Sequence, residues 1–89
     1  VTLAVHDRAL RLAWMDALRQ AGVPVRAATR PAELAKAQAD DGRRLIVSTA
    51  HATDRQLVAT VSASANVLEI DQATPLHDAL ARIHEALAG

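Results

Sequence analysis

An α/β domain built on one parallel sheet is the fold class this sequence predicts, and three observations predict it. Short apolar runs rich in Val, Ile and Leu alternate with longer stretches of helical spacing, four of each. The runs are nearly continuous in apolar residues, as strands covered on both faces are. Gly and Pro stand between segments, where they stop one helix and open the next. The order βαβαβαβα implies a parallel sheet with helices on both faces, a three-layer sandwich.

Each element has its own argument. Residues 1–5 (VTLAV) are the first strand. Over residues 8–21, Leu10, Trp14, Ala17, Leu18 and Ala21 fall on one helical face. Gly22 stops that helix and Pro24 prevents its resumption. Residues 23–27 (VPVRA) form a second strand, and Pro24 removes a ladder donor, so it belongs at a sheet edge or a strand start. Pro31 opens a helix over 32–40, closed by Asp41-Gly42, with Leu34 as its only large apolar residue. Residues 44–48 (RLIVS) are the clearest strand and belong at the sheet centre. Thr53-Asp54-Arg55-Gln56 matches a capping box, with Thr53 as cap, and starts a helix carrying Leu57, Val58 and Val61. Residues 58–64 also suit a strand, because Val and Thr favour one; the capping box decides for helix. Residues 67–70 (VLEI) are the fourth strand. Thr74 caps the last helix with Pro75 at its first position, and Leu76, Leu80, Ile83 and Leu87 form its apolar stripe.

Bulk properties narrow the function. The chain has 89 residues, a single domain, and a thin core with one Trp, one Met and no Phe or Tyr. Ten basic and ten acidic residues balance. A nucleic-acid binder would show a basic excess and aromatics to stack on bases; neither is present. The absence of cysteine points to a reducing compartment, the cytoplasm. No apolar run approaches the ~18–20 residues of a membrane span, and no signal-peptide core is visible. The start at Val1 reads as the edge of a domain excised from a longer protein.

In a parallel α/β sheet, ligands bind at the carboxyl ends of the strands. His6-Asp7, Ala28-Thr29-Arg30, Ser48-Thr49-Ala50-His51 and Asp71-Gln72-Ala73-Thr74 fall there. No glycine-rich phosphate loop follows the first strand, which argues against nucleotides. His6, Asp7, His51 and Asp71 supply metal-ligand types, at no recognisable spacing. His77 and His84 lie two turns apart, about 10 Å, too far to share one metal. Ser48 or Thr49 with His51 lacks a third group to orient the base, so a hydrolytic site is not expected.

The stretch VTLAVHDRALRLAWMDALRQAGVPVRAATRPAELAKA, then GRRLIVSTA, then VLEIDQATPLHDALARIHEAL, follows a familiar rhythm of strand, acidic turn and amphipathic helix. That rhythm resembles the receiver domain of two-component signalling proteins, the CheY-like fold. The resemblance covers most of the chain, carries no diagnostic motif, and implies strand order 2-1-3-4, about one β–α unit short of the family's five. It also implies where the chemistry is missing. The family's acidic pair corresponds to His6-Asp7, so one carboxylate is absent. Its phosphoacceptor Asp corresponds to Ser48 or Thr49. The Lys before Pro has no counterpart: Pro75 is present, but the only lysine is Lys36. His6, Asp7, Ser48 and Thr49 are therefore expected to form a degenerate receiver pocket that takes no phosphoryl group. A hard Mg²⁺ site would lack a charged oxygen it needs.

Two functions from different classes follow. The first is a pseudo-receiver, not an enzyme and without a cofactor, that binds protein domains within a bacterial two-component signalling protein such as a hybrid histidine kinase. Its candidate contact surface is the first helix, where Leu12 and Met15 lie off the core stripe, flanked by Arg11 and Arg19. The second is a small ligand-binding or metal-binding domain that uses the rim formed by His6, Asp7, His51 and Asp71.

Overall fold

The computed structural model describes residues 1–41, 45–60 and 66–88, with the backbone alone for 38–41. Its elements alternate as the sequence predicts: β1 (Thr2–Ala4), α1 (Arg8–Gln20), β2 (Arg26–Ala27), α2 (Pro31–Asp41), β3 (Ile46–Ser48), α3 (Ala52–Val58), β4 (Val67–Glu69) and α4 (Leu76–Ala88). All strand pairs are parallel, in the order β2-β1-β3-β4. The two central strands are β1 and β3, and each is buried along its whole length. This is why their sequences carry almost no polar alternation.

Two apolar layers sandwich the sheet. Leu3, Val5 and Val47 meet Trp14 and Leu18 of α1 and Ala79 and Ile83 of α4 on one face. On the other, Ala4 and Ile46 meet Leu34 of α2 and Leu57 of α3. The second layer holds no aromatic ring, so its helices sit against small residues (Ala4, Ala28). Fully burying a Leu or Ile contributes roughly 1.5–3 kcal/mol, so Leu3, Leu18, Leu34, Ile46, Ile70 and Ile83, with Trp14, dominate the hydrophobic term.

The helix α1 ends in a complete Schellman motif. Gly22 takes φ of 78°, its N–H bonds Arg19 O (3.0 Å), and Val23 N–H bonds Leu18 O (2.9 Å). Val23 then packs on the cluster that contains Leu18. The strand expected over 23–27 pairs only at Arg26–Ala27, on the sheet edge beside β1.

Other local expectations are corrected. Thr53 is not the cap of α3. The N-cap is His51, whose Nδ1 accepts the N–H of Thr53 (3.1 Å), so the helix starts earlier. It ends at Val58; Val61 and the rest of the alternative strand over 58–64 lie largely outside the described residues. Helix α4 starts at Leu76, and Pro75 stands just before it with its carbonyl accepting Ala79 N–H. The cause is the turn ahead of it, where Asp71 accepts Ala73 N–H through Oδ1 and Thr74 N–H through its carbonyl. The predicted stripe on α4 is buried at its middle only. Ala79 and Ile83 are fully buried, whereas Leu76 and Leu87 are 42% and 45% exposed. Ala21, assigned to the core face of α1, is exposed as that helix's C-cap.

Candidate functional site at the carboxyl ends of β1 and β3

The strand order brings the ends of β1 and β3 side by side, and α3 begins directly above them. Asp54, third residue of α3, is 0% exposed and is the hub of the site. Its Oδ1 accepts the backbone N–H of His6 (2.8 Å) and faces His6 Nδ1 (3.1 Å). Its Oδ2 accepts the hydroxyl of buried Thr49 (2.5 Å). The Thr49 oxygen in turn accepts His51 N–H (3.2 Å). One chain of bonds therefore runs from His51 through Thr49 to Asp54, and each member polarises the next.

Helix-start geometry explains why Asp54 points this way. An acid at the third helical position commonly reaches back to the N–H of its own cap. Here that N–H belongs to His51 and is already taken by Thr49, so the Asp54 carboxyl is free to reach across to β1. The bond pattern also sets the histidine tautomers. His51 Nδ1 accepts from Thr53, so the proton of neutral His51 sits on Nε2. His6 Nδ1 donates to Asp54, which leaves Nε2 as its acceptor. The two rings lie together, centroids 4.0 Å apart and tilted by 33°.

Of the residues read from the sequence, the structure brings together His6, Thr49 and His51. Ser48 is buried beside them, and its hydroxyl bonds Ala4 O (3.2 Å), which ties β3 to β1. Asp7 stands apart: its Oδ1 caps α1 through Leu10 N–H (3.0 Å). Asp71 is occupied in the turn before α4. Among the described residues no three His, Cys, Asp or Glu side chains are grouped to hold a metal ion. No family model, curated protein or solved structure matches the chain.

Asp54 is the residue the sequence reading missed. In the sequence it stands inside a capping motif, and its partner His6 lies 48 positions away. The one available signal was an acid three residues after a histidine that follows a strand.

The surface expected on α1 divides. Leu12 is 50% exposed, and Arg19 is exposed. Met15 is half-buried and packs against the core. The Arg11 guanidinium bonds the carbonyls of Val5 (3.0 Å) and His6 (3.4 Å), so it fastens the end of β1. Across the sheet, Arg55 of α3 pairs with Glu69 of β4 (2.8 and 3.2 Å). The bond to Arg55 holds the Glu69 carboxyl below its usual range, and the bond to Glu69 raises Arg55.

Proposed function

We propose that this domain is a pseudo-receiver: a non-catalytic module, shaped like a shortened receiver, that binds protein domains of a two-component signalling protein in the cytoplasm. The observation that carries this reading is the occupancy of the strand-end pocket. Among the described residues the only buried carboxyl there is Asp54, and both of its oxygens are spent on Thr49 and His6. A phosphoryl-accepting site needs an accessible carboxylate and a cation beside it. Here Asp7 is turned to α1, and the position after β3 is Thr49. A first helix that exposes Leu12 also supports a domain that works by contact.

Among the described residues no helix is long and apolar enough to cross a membrane. The cytoplasmic assignment rests on the absence of cysteine and on the signalling reading itself.

Two experiments test the proposal. After incubation with acetyl phosphate and Mg²⁺, intact-mass spectrometry should show no covalent adduct; an adduct on Asp7 would refute the loss of phosphoryl chemistry. Titration of labelled protein with the domains encoded beside it should move signals around Leu12 and Arg19, and Leu12→Glu should abolish the effect. Met15 is unsuitable for this test because it packs on the core. Binding that survives Leu12→Glu would remove α1 as the contact surface.

A further inference from the structure

We infer that the His51–His6 pair is a proton-operated latch on the first turn of α3. Histidine is the side chain whose charge ordinarily changes between about pH 5 and 8. His51 holds the helix start by accepting a hydrogen bond at Nδ1 from Thr53 N–H. A proton taken up there replaces the acceptor with a donor that faces another donor, and the cap is lost. His6 responds in the opposite sense. Its Nδ1 already faces the Asp54 carboxyl, so a cationic His6 keeps its place. Two imidazolium rings with centroids 4.0 Å apart repel, and only one of them has an anion beside it. His51 is therefore the ring that leaves on acidification.

The charged and titratable neighbours agree with this assignment. On the β1 side they are His6 itself, the Arg11 guanidinium on His6 O, and Asp7, which is engaged with Leu10 N–H. On α3 they are Asp54, bonded to Thr49 and His6, and Arg55, which is paired with Glu69. The groove towards α2 is lined by Thr29, Pro31, Thr53, Gln56, Leu57 and Thr60, which do not titrate. The turn before α4 contributes Asp71, held by Ala73 N–H. The backbone N–H of His51 is held separately by Thr49, so the latch stands at the outer end of the bond chain into Asp54.

The test is an NMR titration of the intact chain from about pH 8 to about pH 5, following the ring carbons of both histidines and the backbone amides together. The Thr53 amide should lose hydrogen-exchange protection roughly fivefold, after correction for intrinsic rates, the scale of one lost helix cap. That loss should track the His51 ring and not the His6 ring. His51→Asn caps without titrating, and it should abolish the response. Titration of the His51 ring with Thr53 protection unchanged would overturn the latch. So would the same loss of protection in His51→Asn. The wild-type titration decides the matter even if the variant folds poorly.

Discussion

Asp54 accepts bonds from a backbone N–H, an imidazole and a hydroxyl, with no exposure to water. Removing such an acceptor leaves buried donors unpaired, and each costs about 1–3 kcal/mol. Asp54→Ala should therefore destabilise the fold by about 3 kcal/mol, and Asp54→Asn, which keeps one oxygen, by about half as much. Urea unfolding measures both; equal, small losses would mean the network is not structural. Thr2 tests the converse. It is fully buried on β1, and its hydroxyl finds no partner among the described residues. Thr2→Val keeps the shape and removes the orphan, and it should raise stability by about 1 kcal/mol. A drop in the urea midpoint would show that the hydroxyl is satisfied after all. Neither residue declared its role in the sequence. Thr2 read as a strand residue and Asp54 as part of a cap, because their surroundings are made by chain far away in sequence.

At the element scale, what depends on local spacing was legible. Leu10, Trp14 and Leu18 repeat at helical intervals, and α1 turns Trp14 and Leu18 inward. The continuous apolar run at Leu45–Val47 predicted a central strand, and β3 is one. What depends on competition between neighbouring acceptors was not legible. Thr53 and His51 both offer a cap, and His51 takes the position through Nδ1, which accepts Thr53 N–H. Gly22 offers a clean element-scale prediction. Its φ of 78° suits glycine, and a Cβ there would meet nothing within 4 Å. Gly22→Ala should thus cost about 1 kcal/mol, from backbone conformation alone. A loss several times larger would mean that the Schellman turn had rearranged. The Arg55–Glu69 pair joins α3 to β4 at the surface. Because Arg55 lowers the Glu69 pKa, whatever the pair contributes is present at neutral pH and is lost as acid protonates Glu69. Exposure and salt keep that contribution small.

At the scale of the whole molecule, the layers, the parallel sheet and the order 2-1-3-4 follow the expectation set by alternation and by the receiver resemblance. The topology places a buried acid where a phosphoryl site would need an open one, and it leaves Leu12 facing outward. Trp14, the only aromatic residue apart from the histidines, lies in the larger core layer, so its fluorescence reports the state of the fold during any of these tests. The carboxyl ends of β1 and β3 are closed by their own hydrogen bonds. The most direct test is to record amide NMR spectra with and without Mg²⁺ and beryllofluoride, which mimics a phosphorylated receiver. Signals at His6, Asp7, Thr49 and Asp54 should stay unchanged. Shifts clustered at those four residues would show a pocket that still takes a cation and a phosphoryl mimic, and would contradict that closure.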